Sequence, residues 1–430
     1  MKVTVESKAL NRLISRAFIN KEKNTMSRLF RVRSSDEGTF QISVNHNYDG
    51  YAVVGMPARV EEPGSAYVFA KDFADAAKKM TDETTISEDE KKLTLSCPGK
   101  SVVVWKVENE EINIPTADGE ITDLFSIPAP DLLEIVKRLD PFTDFDDMRA
   151  AFRGLGINTK RLEIAACDGN HLGIRKIPED WITEESAVEL VTGAYFTTDL
   201  ANVMNGHRKK WDESIRVLTF KNGKRDYLRC DGEDFSFVHR CEDAEFIQYE
   251  RLLTNKDFAD VRFTMTSTDE MSAAATECAK LGGRKGGRML MAASGDNLNA
   301  CYFDESGDDE IGYRLGEIEW NPYAENPKDW IFGFNAKFVE HGAELFKDSG
   351  AVEIYFNMNN KIFPKKFPEV FSNFTAFTIE DENWIAYLMP VRCFTYSIRT
   401  DSNGNEIIDP DEKREAEESR SRWTEFLRNL

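Results

Sequence analysis

The 430-residue sequence predicts an α+β protein assembled from repeated strand–turn–helix units. Three observations carry that prediction. A strand-like run, a capping residue and an amphipathic helix occur in the same order six times. The helices begin near Lys8, Asp72, Pro130, Thr198, Asp269 and Ala336, a period of roughly 65 residues and longer than the usual solenoid repeats. Between helices lie alternating apolar runs, such as Lys92–Cys97 and Lys100–Val107, that read as antiparallel strands.

The third copy, Phe125–Asp140, shows the unit most fully. Phe125 and Ile127 alternate with polar neighbours as a half-buried strand does. Pro130 suits the first helical position, where a missing N–H costs nothing, and Asp131 puts a carboxylate in the first turn. Leu132, Ile135, Val136 and Leu139 then form the apolar stripe of a short helix. In the first copy Val3 and Val5 lead through Ser7 into Leu10, Leu13, Ile14, Ala17 and Phe18. Tyr67 and Phe69 precede Asp72, then Phe73, Ala76, Ala77 and Met80. Tyr195 precedes Thr198, then Leu200, Val203 and Met204. Val261, Phe263 and Met265 precede Asp269, then Met271, Ala274, Ala275 and Cys278. Trp330, Phe332 and Phe334 precede Asn335, then Phe338, Gly342, Leu345 and Phe346. Ser7, Asp72, Thr198, Asp269 and Asn335 stand where N-caps belong.

Two units make one domain, which divides the chain into residues 1–120, 121–254 and 255–393, with 394–430 appended. The acidic, turn-rich stretch Glu108–Asp123 reads as the first link and Asn255–Asp260 as the second. No apolar run approaches the ~20 residues of a membrane span. The opening MKVTVESKAL lacks the apolar segment of a signal peptide, so a cytoplasmic protein is expected. The cysteines are scattered without a C-x-x-C, and are expected as small apolar residues rather than disulfides or zinc ligands. The histidines are too dispersed for a metal cluster.

A net charge of −21 argues at first against nucleic acid, because phosphate contact needs local positive charge. The field at a site, however, depends on where charges sit. Arg12, Arg16, Lys21 and Lys23 gather on or just after the first helix, Lys78 and Lys79 after the second, and Lys137 and Arg138 after the third. Arg208, Lys209 and Lys210 follow the fourth, and Arg284, Lys285 and Arg288 the fifth. Two readings account for them: the attraction of helix C-termini for cations, or a basic lining in an acidic protein.

Other motifs carry no chemistry. Gly282–Gly287, GGRKGG, lacks the Lys-Ser/Thr ending of a phosphate loop and reads as a helix stop and turn. Asp401, Asn403, Asn405, Asp409 and Glu412 fall at calcium-loop spacing, but Glu406 replaces the required glycine; a hairpin turn is expected and no metal. Asp168 and His171 have no nucleophile or oxyanion signature beside them, so the DGNHL stretch reads as a turn with Asp168 bonding backbone N–H groups. Neither an enzyme nor a cofactor is expected.

At Ala166–Gly173, ACDGNHLG, the sequence resembles the TDGHRL signature of the bacterial DNA polymerase III β subunit, the replicative sliding clamp. MKVTVESKAL is similar to that family's opening strand and helix, and Asp147–Ile157, DMRAAFRGLGI, to its DVRYYLNGMLF segment. Phe246–Leu253, FIQYERLL, resembles FPDYRRVL, and Ala386–Cys393, AYLMPVRC, resembles YVVMPMRL. The anchors stand in the family's order, and the resemblance covers residues 1 to 393.

The resemblance implies the DNA-clamp fold: three pseudo-equivalent domains of two β-α-β units each, helices inside and antiparallel sheets outside. It implies a head-to-tail homodimer that encircles double-stranded DNA without reading its sequence. The family tethers DNA polymerase and clamp loader through short peptides, as a non-catalytic processivity factor. The lining would be Arg12, Lys21, Lys23, Lys78, Lys79, Lys137, Arg138, Arg208, Lys209, Lys210, Arg284 and Lys285. Arg149 and Arg153 would join it, flanking Ala150 and Ala151 where the family has tyrosines. The peptide groove, between the second and third domains, would be Phe152, Gly169, Asn170, His171, Leu172, Ile247, Arg251, Leu252, Tyr387, Leu388, Met389, Pro390, Val391 and Arg392. Against this, Leu172, Leu252 and Leu388 also read as plain core. The −21 charge and Ala150-Ala151 keep an alternative open: a clamp-fold interaction module that no longer encircles DNA.

The family pattern does not account for residues 394–430. Phe394, Tyr396 and Ile398 alternate as a strand, and Asn403-Gly404 supplies a turn. Trp423, Phe426, Leu427 and Leu430 then form a narrow apolar edge on a charged helix, too short to stand alone in water. That edge is expected either to pack on the third domain or, through Phe426 and Leu427, to shield the peptide groove.

Overall fold

The structure is a computed structural model that describes residues 1–17, 29–46, 50–108, 112–183, 188–205, 213–249, 255–283, 287–303, 311–324, 330–357, 377–391, 398–400, 406–408 and 410–430. In it the strand–turn–helix unit occurs six times, each helix followed by further strands. The first round is β1 (Lys2–Glu6), α1 (Ser7–Ala17), β2 (Leu29–Ser35), β3 (Thr39–His46), β4 (Gly50–Pro57) and β5 (Arg59–Glu62). The second is β6 (Gly64–Phe69), α2 (Ala70–Ala77), β7 (Glu83–Glu88), β8 (Lys92–Cys97) and β9 (Lys100–Trp105). The third is β10 (Ile121–Pro128), α3 (Ala129–Leu139), β11 (Gly156–Asn158), β12 (Glu163–Cys167) and β13 (His171–Lys176). The fourth is β14 (Glu189–Thr192), α4 (Phe196–Asn205), β15 (Ser214–Asn222), β16 (Arg225–Asp231) and β17 (Phe235–Glu242). The fifth is β18 (Val261–Met265), α5 (Asp269–Leu281), β19 (Arg288–Ser294), β20 (Asn297–Tyr302) and β21 (Gly312–Trp320). The sixth is β22 (Phe332–Asn335), α6 (Ala336–Glu344), β23 (Val352–Phe356), β24 (Phe377–Glu380) and β25 (Trp384–Leu388). A hairpin of β26 (Ile398–Thr400) and β27 (Glu406–Ile408) and a helix, α7 (Pro410–Arg428), follow.

The helices bury most of the stripe their spacing foretells; Phe338 of α6 is only half-buried, and Phe18 lies outside the described residues. Leu132, Ile135, Val136 and Leu139 of α3 are all buried, as are Met271, Ala274, Ala275 and Cys278 of α5. The caps depart from expectation. Asn335 does cap α6, accepting a hydrogen bond from the Lys337 N–H at 3.0 Å. Ser7 instead bonds Thr84 across to β7, at 2.7 Å between hydroxyls. Asp72 and Thr198 lie inside their helices, which begin earlier, and Asp269 is the first residue of α5 rather than its cap. Tyr195 is no strand residue but a turn, at φ 68°, stacked on Phe145. The strand of that copy is β14.

The chain divides into two compact units, residues 1–164 with 177–246, and 165–176 with 247–430. In the first unit β5, β1, β7, β8 and β9 form one antiparallel sheet. A second runs β6-β2-β3-β4-β17-β16-β15-β10, again antiparallel throughout. Helix α1 packs beside α2 and α4, and α3 beside α4. The stretch expected as an acidic link is held in this unit: Ile112 is buried, and Ile114 and Ala117 pack on Phe220, Tyr227 and Val238. Its periodic apolar residues outweigh its charge.

In the second unit β13-β25-β24-β23-β18-β21 is antiparallel, and β22-β19-β20-β21 forms a second layer. Helix α5 packs against α6. A joint recurs: β4 of round one pairs with β17 of round four, and β13 of round three with β25 of round six. Helix α7 lies on β19 and β20, with Trp423 and Leu427 fully buried against Leu290, Ala292, Cys301, Phe303 and Ile331. Phe426 packs on the same cluster. Of the two expectations for this segment, packing is the one observed; Phe426 and Leu427 are committed to the sheet rather than to shielding a groove.

Candidate functional site

The turn between β12 and β13 is set by two residues. Gly169 adopts φ 90°, a left-handed conformation costly for a residue with a Cβ. Asp168 Oδ1 accepts hydrogen bonds from the N–H groups of Asn170 and His171 at 2.8 and 2.9 Å. The same oxygen lies 2.8 Å from His171 Nδ1. Burial opposes the Asp168 carboxylate, yet the bonds from His171 and Asn170 outweigh it and hold its carboxyl below the ordinary range.

From this turn β13 runs antiparallel to β25, with His171 opposite Leu388 and Leu172 opposite Tyr387. Met389 N–H donates to the Asn170 carbonyl at 3.1 Å, and Val391 N–H to that of Gly333 at 2.7 Å. Lys176 pins the far end of β13 through Glu380 on β24, at 2.7 Å. Within the second unit the structure therefore brings together Gly169, Asn170, His171, Leu172, Tyr387, Leu388, Met389, Pro390 and Val391. Their exposure divides them. Leu172, Tyr387 and Leu388 are buried core, whereas Met389, Pro390 and Val391 are half-buried and Asn170 is exposed. Ile247 is half-buried, and Phe152, in the first unit, is buried beneath the Arg149 guanidinium at 4.0 Å. Arg251, Leu252 and Arg392 lie outside the described residues.

Two residues the sequence reading did not select complete the site, both from α6. Phe338 stacks on the His171 ring at 4.3 Å between centroids. His341 Nδ1 lies 3.0 Å from His171 Nε2. Burial, then His171 and Lys337, push His341 down to about 4, so it is neutral near pH 7. The sequence places Phe338 in the apolar stripe of α6, and His341 stands three residues on, one turn along the same face.

The expected lining is less free than its sequence suggests. Arg149 pairs with Asp147 at 2.7 Å and Arg153 with Glu242 at 3.0 Å. Lys78 pairs with Asp75 at 3.1 Å, and Arg138 with Glu134 at 2.9 Å. Arg12, Lys79 and Lys137 are exposed on or beside α1, α2 and α3. Arg16, by contrast, is buried and bidentate to Asp234. Lys21, Lys23, Arg208, Lys209, Lys210, Arg284 and Lys285 fall outside the described residues. No helix among those residues is long and apolar enough to cross a membrane, and no group of three or more metal-ligating side chains is found among them.

No family model and no curated protein matches the chain by sequence. Solved structures match it by shape. The DNA polymerase III subunit beta of Pseudomonas aeruginosa aligns at TM-score 0.74 and 16% identity, over 91% of this chain and 100% of that one. A putative DNA polymerase III beta subunit from Eubacterium rectale aligns at 0.71 and 17%, over 91% and 100%. The pol III beta of Caulobacter crescentus does so at 0.71 and 14%, again over 91% and 100%. The α+β fold of this chain is that of the DNA polymerase III β sliding clamps.

Proposed function

We propose that this chain is a sliding clamp: two copies close head to tail around duplex DNA and tether a polymerase and its loader through short peptides. The observation that carries the reading is the recurring strand joint. Round one pairs with round four and round three with round six, each three rounds on. The same step from round five leads past the six rounds described, and round two of a second copy would supply the partner. The required edges are open among the described residues. The leading part of β21, Gly312–Gly316, pairs on one side only, with β20, and β9 pairs only with β8. A heterologous contact of this kind builds a closed ring if the rotation closes. Arg12, Lys79, Lys137 and the cations beyond the described residues would meet phosphates without reading bases.

The peptide wall in this reading is the end of β25 beside the Asp168 turn, with Asn170, Met389, Pro390 and Val391 as its open residues. The division into domains 1–120, 121–254 and 255–393 belongs to the same proposal, as does the absence of catalysis. The pairing of Arg149, Arg153, Lys78 and Arg138 with carboxylates favours a second reading, a clamp-fold interaction module that does not enclose DNA. Sedimentation separates the two. A species of twice the 49.0 kDa chain mass at micromolar concentration is expected for the ring; a monomer there would leave only the interaction module.

A further inference from the structure

Residues 410–430 cover one particular surface. Strand β19 is buried on both faces along Met289–Ala293, whereas its counterpart β2 alternates and turns Arg31 and Arg33 outward. The outer cover is α7, anchored by Trp423 and Leu427. Its last carbonyls, which a helix end leaves without intrahelical donors, are met from the sheet. Asn299 donates to the Leu427 carbonyl at 2.7 Å and Ser294 to that of Arg428 at 3.1 Å; beyond the helix, Arg314 donates to the main-chain oxygen of Leu430 at 3.0 Å. Leu430 thus lies over β21 and touches Gly312, where an added Cβ would fall 2.5 Å from its Cδ2. Gly312 opens the stretch of β21 whose outer edge has no strand partner among the described residues.

Strand β9 has the complementary character. Val104 is buried toward the core, while Val103 and Trp105 on the opposite face are 45% and 66% exposed. Helix α2 packs on β9, and α5 on β19, β20 and β21, so each sheet has one helix-bearing face. Helix α7 covers the other face of β19 and β20, and Val103 and Trp105 stand on the other face of β9. Edge-to-edge pairing continues a sheet without exchanging its faces.

We propose that α7 forms part of the seam between two copies: the Val103 and Trp105 side chains of one pack on Phe426 and Leu430 of the other. This rests on the head-to-tail reading above and extends it to a segment outside the repeat. Phe426 and Leu430 are only half-buried on their own sheet, which leaves apolar surface for the incoming strand. An aromatic side chain that becomes buried at a seam commonly dominates its affinity.

The test uses the full chain and measures dimer dissociation by sedimentation over a dilution series. Trp105→Ala, and separately Phe426→Ala with Leu430→Ala, should each raise the dissociation constant about tenfold or more. The triple variant should fall short of the product of the two effects, because the residues act on one contact. Trp423 and Leu427 stay in place, and circular dichroism checks that the fold persists. Mixing copies carrying Trp105→Cys with copies carrying Leu430→Cys should give, on oxidation, a covalent species of twice 49.0 kDa. Wild-type dimer strength in the Phe426/Leu430 variant, with no such cross-link, would overturn the seam while leaving the head-to-tail ring intact. A wild-type chain that stays monomeric would overturn both.

Discussion

At the scale of single residues, the Asp168–His171–His341 series shows how polar groups survive inside the second unit. Asp168 is fixed by two backbone N–H donors, and its carboxylate faces the His171 ring. His341 meets the other side of that ring and is held neutral by burial. A histidine with a native value depressed to about 4, against 6.5 when unfolded, stabilises the fold above pH 6.5. Below that the unfolded chain takes up a proton that the native one refuses, and stability is lost as pH falls from 6.5 toward 4. The loss attributable to His341 is on the order of 2 kcal/mol. Thermal melts at pH 7 and pH 4.5 should show a larger drop for the wild type than for His341→Gln. Equal drops would mean that His341 is not the group responsible.

At the scale of elements, the end of β25 decides which residues can meet a partner. Leu172 and Leu388 are spent on the core, which is the plain-core reading the sequence left open for them. Met389 follows the strand and is half-buried, its N–H tied to Asn170. Met389→Ala should therefore weaken binding of a peptide of the clamp-binding type, a Gln followed by Leu and a terminal Leu-Phe pair, with little change in stability. Leu172→Ala should instead cost about 2–5 kcal/mol of folding stability through the cavity it opens. Calorimetric titration of both variants, paired with denaturant melts, checks this; unchanged peptide affinity in Met389→Ala would place the groove elsewhere. The helices teach a related lesson. Their apolar stripes are largely legible, but of five expected side-chain caps only Asn335 is seen to serve: Thr84 claims the hydroxyl of Ser7, and Asp72, Thr198 and Asp269 fall within helices that begin at or before them.

At the scale of the whole molecule, the acidic balance and the repeat make opposite demands on DNA binding. Among the described residues four of the expected lining cations are paired with carboxylates, so in the proposed ring their phosphate contacts would be few. Binding in the proposed ring would then be topological. Affinity for a short linear duplex should be weak and fall with added salt, while clamp loaded on a closed circle should be retained until the circle is cut. Tight binding to a short oligonucleotide, or equal retention on linear and circular DNA, would contradict this.

Six helices, five of the strands that lead into them, the α+β class and the antiparallel character of the strands between helices are legible in the sequence. The fourth leading strand, β14, is not, since Tyr195 proves to be a turn. Apolar spacing is a local property, and each unit has one face that must be buried whatever surrounds it. The Asp168 turn is legible too, since Asp-Gly chemistry acts over a few residues. Which strand edges join emerges only in the folded chain: round one meets round four through Ala52 and Phe237, and round three meets round six through Gly173 and Ala386. Strand pairing uses backbone groups that every residue but proline carries, so its long-range choice leaves little trace in side chains. The docking of α7 was half legible. The spacing of Trp423, Phe426, Leu427 and Leu430 marks an edge that needs cover, but only the folded chain shows that Leu290, Ala292, Cys301, Phe303 and Ile331 lie beneath it.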